Sequence, residues 1–159
     1  MWSTGMFRQI YNFKQLSDNL FTSGMPTKEQ MEDMGRNGIQ VVINLAPHTV
    51  QNALSEEEAL VKSLSIDYYN IPVSWNSPTL DNLSEFMNIM DQINGKKVFV
   101  HCEANFRASS FVTMYRILRL GWDPDQAMNV MHEIWDEEVY PIWKEFIEEI
   151  LDKEKNKRK

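Results

Sequence analysis

Between His101 and Ser110 the chain concentrates its reactive side chains: His101, Cys102, Glu103, Arg107, Ser109 and Ser110. Cys102 is the only cysteine of the chain. The segment reads as the end of a strand, a short loop, and the start of a helix. A sulfur just ahead of a helix N-terminus feels the positive end of the helix dipole, and a nearby guanidinium favours its thiolate further. Backbone N–H groups in such a turn point outward and can hold an anion. A thiolate, a ring of amide donors and Arg107 are what phosphoryl transfer to sulfur requires. The sulfur attacks phosphorus in line, and the donors and guanidinium stabilise charge on the equatorial oxygens. An unpaired cysteine is also commonly a small buried hydrophobe. Its place at the carboxyl end of a buried strand, where open α/β sheets hold ligands, together with Arg107 five residues on, favours a site.

The strand that delivers Cys102, Lys97 to His101, holds the run Val98, Phe99, Val100, which does not alternate, as expected when both faces are buried. From Arg107 to about Leu120 the chain reads as a helix that is apolar around most of its circumference, which predicts a central position. Upstream, Leu20 to Ser23 is a weak strand followed by a turn at Gly24 and Pro26. Thr27 can cap a helix to about Asn37, with Gly38 in the left-handed position. Ile39 to Leu45 and Asp67 to Val73 are strands. Between them lie a polar loop, Pro47 to Asn52, and a helix through about Leu64 for which Ser55 and Glu58 have capping-box spacing. Ser74 to Thr79 is a loop holding Trp75, Asn76 and Pro78, and Leu80, Leu83, Phe86, Met87 and Met90 then fall at helical spacing. Asp123 and Pro124 start a helix through about Trp135, and Pro141 to Asp152 gives a last amphipathic one. The alternation predicts one α/β domain over residues 1–159, with a mostly parallel sheet of about four to five strands covered by helices in three layers.

At 159 residues, 43% hydrophobic and 25% charged, the chain has the composition of a soluble globular domain rather than a disordered or fibrous one. No apolar run approaches the roughly 18 residues of a membrane span. The net charge is −7, although Lys153, Lys155, Lys157, Arg158 and Lys159 hold five of the 16 basic residues. An acidic body with a short basic tail argues against nucleic-acid binding, and residues 153–159 read as a frayed helix end. A lone cysteine excludes an intrachain disulfide, and Met1 to Leu16 lacks the apolar core of a signal peptide, so the cytoplasm is expected. His48 and His132 stand apart, no metal-ligand spacing occurs, and neither metal nor cofactor is expected. Trp122, Trp135 and Trp143 fit a helical core, and the runs Glu56 to Glu58 and Asp136 to Glu138 read as solvated faces.

His101 and Cys102, followed by an arginine and a serine at a helix start, resemble the signature of the cysteine-dependent protein tyrosine and dual-specificity phosphatases. Three further segments look like a small bacterial branch of that superfamily: Leu20 through Thr27, Val42 to Leu45, and Ile71-Pro72-Val73 leading into Trp75 and Pro78. The likeness spreads over about residues 16–150. It implies the three-layer fold of those phosphatases and hydrolysis of a phosphomonoester, phosphotyrosine-like or a small aryl or alkyl phosphate, through a phosphocysteine on Cys102. The partner is then a phosphorylated protein or small molecule. Arg107 and the loop residues Glu103, Ala104, Asn105, Phe106 and Ala108 would bind the phosphate, with His101 orienting the loop. Ser109 either stabilises the thiolate leaving group of the second step or caps the helix.

The chain departs from the family pattern at four points. The pattern sets five residues between cysteine and arginine, whereas four, Glu103 to Phe106, separate Cys102 from Arg107. Either the anion loop is one residue shorter, or Ala108 occupies the usual arginine position and Ser109 the following hydroxyl. The loop has no glycine, although Asn105 adopts a left-handed conformation more cheaply than most residues. Glu103 places a carboxylate beside the nucleophile, which opposes phosphate binding unless it pairs elsewhere. The loop from Ser74 to Thr79, where the family carries its general acid, has no carboxylate. Asn76 can donate a hydrogen bond but cannot protonate a leaving alkoxide, and Asp81, the nearest acid, also reads as a solvated residue complementing the helix dipole. Without Asp81, turnover is expected to be slow or confined to good leaving groups such as aryl phosphates. Trp75 can wall the pocket. Two other functions fit a cysteine on an anion-binding turn: a phosphate-binding pseudophosphatase module and a sulfurtransferase of rhodanese type. The segments Ser23 to Thr27 and Ile71 to Val73 lean toward the phosphatase.

Overall fold

Short runs rich in β-branched and aromatic residues become the strands of one sheet. The computed structural model describes residues 6–158. Residues 1–5 of the Met1 to Leu16 stretch and Lys159 of the basic tail lie outside the described residues. The strands are β1 (Lys14–Ser17), β2 (Leu20–Ser23), β3 (Val41–Asn44), β4 (Asp67–Asn70) and β5 (Val98–His101), in the spatial order β1-β2-β5-β3-β4. Strand β1 runs antiparallel to β2, and the other pairings are parallel. The sequence pattern missed β1 because Lys14-Gln15-Leu16-Ser17 is mostly polar, as suits an edge strand. Strand β5 lies between β2 and β3, with His101 paired to both Ser23 and Asn44. Cys102 therefore leaves the middle of the sheet at the carboxyl end of its parallel strands.

Among the described residues the α-helices are α1 (Lys28–Arg36), α2 (Glu57–Ser63), α3 (Leu80–Gln92), α4 (Phe106–Leu118), α5 (Pro124–His132) and α6 (Pro141–Lys157). Period-two alternation divides the strands between two cores. Val41, Ile43, Val98, Val100 and Cys102 face the side packed by α3, α4, α5 and α6, while Phe21, Val42 and Phe99 face Met31, Met34 and Val61 of α1 and α2. This is the three-layer α/β arrangement the alternation predicts. Helix α4 is buried continuously from Arg107 to Ile117, which explains its apolar circumference. Thr27 caps α1 in a capping box with Gln30, and Thr79 caps α3.

Three expectations fail locally. Ser55 does not cap α2: Glu56 takes the N-cap position in a left-handed conformation, φ 57°, and the chain turns so that Glu57 is buried. The run Glu56 to Glu58 is therefore not wholly solvated. Glu137 is likewise buried and pairs with His132 at 2.6 Å, within a run read as a solvated face. Helix α6 continues through Lys157, and Arg158 donates to the carbonyls of Ile117 and Trp122. No helix among the described residues is long and apolar enough to cross a membrane.

Candidate active site

The turn after β5 is held from beneath by close backbone contact. The Cys102 N–H donates to Ser23 O, the Met25 N–H donates to Glu103 O, and Gly24 bridges Ala104. A Cβ on Gly24 would stand 2.8 Å from Glu103 O, so glycine is what lets the exit of β2 approach the loop. Asn105 supplies the conformation a loop without glycine needs: φ is 73°, and its side chain donates to Asn12 O at 2.8 Å and Thr22 Oγ1 at 3.0 Å. Asn12 returns a bond to Ala104 O. The chain enters α4 at Phe106, which puts Arg107 in the first turn.

Cys102 is 1% exposed, yet it lines a cleft of about 410 Å3. The N–H of Ala108 donates to its Sγ at 3.4 Å, so the amide end of α4 faces the sulfur. Arg107, 3% exposed, lines the same cleft. It donates to Val73 O at 3.3 Å and Glu103 Oε1 at 3.2 Å, and its Nε–H has no partner. Of the two loop readings, the geometry follows the shorter loop: Arg107 reaches the cleft, and Ala108 contributes only its amide. Trp75, Glu103, Ala104 and Phe106 complete the expected lining. The Trp75 carbonyl is fixed by Trp143 Nε1 at 2.8 Å, and the Phe106 ring stacks on Trp135 at 4.6 Å.

Six of the expected site residues are not in the lining: Asn105 and Ala108, described above, and Asp81, Asn76, His101 and Ser109. Asp81 is exposed in the first turn of α3, and Asn76 is exposed on its loop; neither lines the cleft, because Thr79 caps α3 in a way that leaves this turn in solvent. His101 is fully buried behind the loop, on the sheet face opposite Cys102, so it cannot touch a ligand in the cleft. Ser109 donates to Phe106 O within the helix and makes no bond to sulfur. The cleft also includes Tyr11, Asn52 and Tyr140, which sequence reasoning missed. They come from distant loops, and no local pattern marks them. Glu103 is the sole carboxylate in the lining. Among the described residues no group of three or more His, Cys, Asp or Glu side chains is placed to hold a metal ion.

A parallel strand followed directly by a cysteine, a helix-start amide that faces its sulfur and a buried arginine in the first turn of that helix define a cysteine-dependent phosphatase of the tyrosine and dual-specificity class. The chain belongs to the family described as "DSP-PTPase phosphatase fused to NAD+ Kinase", whose model matches residues 8–148. It is similar to a candidate phosphatase (DUF442) of Shewanella putrefaciens CN-32, with 36% identity over 92% of each chain and a TM-score of 0.81. The fold is shared with Tk-PTP, at 17% identity over 86% of this chain and 97% of that one, TM-score 0.69. It is also shared with TpbA of P. aeruginosa bound to phosphotyrosine, at 19% identity over 86% and 82%, TM-score 0.65. No curated protein matches the chain.

Proposed function

We propose that this phosphatase hydrolyses aryl phosphomonoesters of phosphotyrosine type through a phosphocysteine on Cys102. The observation that carries this is one cleft holding Cys102 and the buried Arg107, whose Nε–H lacks a partner, beneath the rings of Trp75, Phe106, Tyr11 and Tyr140. In the first step the Cys102 thiolate attacks phosphorus, the S–P bond forms, and the ester P–O bond breaks with release of the phenolate. Arg107 and the loop amides hold the three equatorial oxygens. Water then attacks phosphorus, the S–P bond breaks, and inorganic phosphate leaves with the thiolate restored.

The aryl preference follows from the acids at hand. Glu103 is bound to Arg107, and Asp81 stands outside, so a leaving group that departs without a strong proton donor is favoured. TpbA holds phosphotyrosine on the same fold. The family match favours a phosphatase over a sulfurtransferase. A lone unpaired cysteine is consistent with the reducing cytoplasm as the compartment.

A second reading rests on the Glu103–Arg107 pair, which occupies the anion-binding arginine: a weak enzyme that chiefly binds a phosphorylated partner. Turnover of p-nitrophenyl phosphate by the wild type and by Cys102→Ser separates the two. The enzyme reading expects measurable turnover that falls at least about a thousandfold in the variant. Absent wild-type turnover with retained phosphotyrosine binding would replace it with the binding reading.

A further inference from the structure

Behind the loop lies a buried polar chain that the reaction as described does not use. His101 Nε2 lies 2.6 Å from Glu57 Oε2 and Nδ1 lies 3.3 Å from the carbonyl of Cys102; a carbonyl only accepts, so this second contact is a hydrogen bond with the hydrogen on Nδ1. Glu57 is 3% exposed and arrives from α2 through the left-handed turn at Glu56. Its second oxygen accepts from Asn44 Nδ2 at 3.2 Å. Asn44 is itself fixed, since its Oδ1 accepts the Ala46 N–H and its Nδ2 also reaches the Tyr68 hydroxyl. The carboxylate is thus clamped by one strand neighbour and grips the residue that precedes the nucleophile.

We propose that Glu57 is a positioning residue for Cys102: it holds the His101 ring so that the Nδ1–H anchors the nucleophile's own carbonyl, which sets where the sulfur stands at the cleft. A buried carboxylate with no such duty is costly to retain. Replacing it with leucine removes the oxygen that holds Nε2 and leaves that nitrogen facing apolar atoms. The ring is then free to turn or to change tautomer, and the Nδ1–H anchor on the Cys102 carbonyl is lost. The other groups facing this unit stay in place: Glu103 and Arg107 beside the sulfur, Tyr11 and Tyr140 across the cleft, and Tyr68, with His48 beyond it, behind Asn44.

The inference rests on the phosphocysteine reading for its catalytic meaning, but its test does not need turnover. Because Cys102 is the only cysteine, its alkylation by iodoacetamide reports one site across a pH series. In Glu57→Leu, with the fold checked by circular dichroism, the midpoint of that profile moves to higher pH. In addition, kcat for p-nitrophenyl phosphate falls about tenfold to hundredfold with KM little changed, the scale for carboxylates that orient a functional histidine. A folded variant with an unchanged profile and unchanged kcat overturns the proposal. If Glu57→Leu does not fold, the nitrogen-15 spectrum of the wild-type His101 ring decides: a hydrogen on Nδ1 supports it, and a bare Nδ1 overturns it. A wild type that alkylates as expected but never hydrolyses the ester would refute the phosphatase reading and leave the role of Glu57 standing.

Discussion

Glu103 and Arg107 hold each other one helical turn apart at the mouth of the cleft, with the arginine buried and the glutamate side chain 43% exposed. A phosphate entering the cleft competes with that carboxylate for the guanidinium and is repelled by its charge. Partial exposure of the glutamate keeps the effect small, on the order of 1 kcal/mol. Glu103→Gln is therefore expected to lower the inhibition constant of inorganic phosphate by a factor of about five, measured against p-nitrophenyl phosphate. An unchanged constant would mean that the pair does not compete. At this scale the sequence was legible wherever neighbours in the chain are neighbours in space. Cys102, Arg107 and Asn105 share one turn, so their types and spacing suffice. Glu57 was not legible, because it sits between Glu56 and Glu58 in a run that reads as solvent-facing, and its partner is 44 residues away. Asp81 misled for the converse reason: proximity along the chain to a loop did not bring it to the cleft.

The element that shapes the loop is its contact with the end of β2. Gly24 passes Glu103 O and the Tyr11 ring so closely that an added methyl would stand 2.8 Å from each. Gly24→Ala must push the Cys102 turn or the Tyr11 segment aside, at a cost of about 1–3 kcal/mol of stability. Chemical denaturation should show that loss, and turnover should fall with it because the displaced carbonyl belongs to the residue next to the nucleophile. Equal stability and activity would show that the contact yields freely. The strands β2 to β5 and the helices were legible because their periodicities differ and their caps are local, as at Thr27. Strand β1 was not, since an edge strand of Lys14, Gln15, Leu16 and Ser17 needs no apolar run. The start of α2 was misread because a capping-box spacing at Ser55 is satisfied by many loops, whereas the actual entry at Glu56 is set by the tertiary pull of His101 on Glu57.

For the molecule as a whole, two tyrosines link stability to alkaline pH. Burial, then the charge of Glu57, raises the Tyr68 hydroxyl well above its ordinary value, and burial with the charge of Asp91 raises Tyr115. A raised folded-state value means that the native protein holds the proton more tightly than the unfolded chain. The associated stability is complete below the unfolded value of about 10 and is lost as pH rises beyond it toward the folded values. The denaturation midpoint should stay level up to about pH 10 and then fall, with a shallower fall in Tyr68→Phe; a fall of equal steepness in both proteins would remove Tyr68 from the account. The phosphoryl-transfer claim concerns the whole assembly of sheet, loop and cleft, and one measurement reaches it most directly. The wild type is mixed with p-nitrophenyl phosphate, quenched in acid during turnover, and digested for mass spectrometry. A phosphoryl group on the peptide that contains Cys102, absent in Cys102→Ser, is the predicted result; steady turnover with that peptide unmodified and Cys102→Ser still active would contradict it.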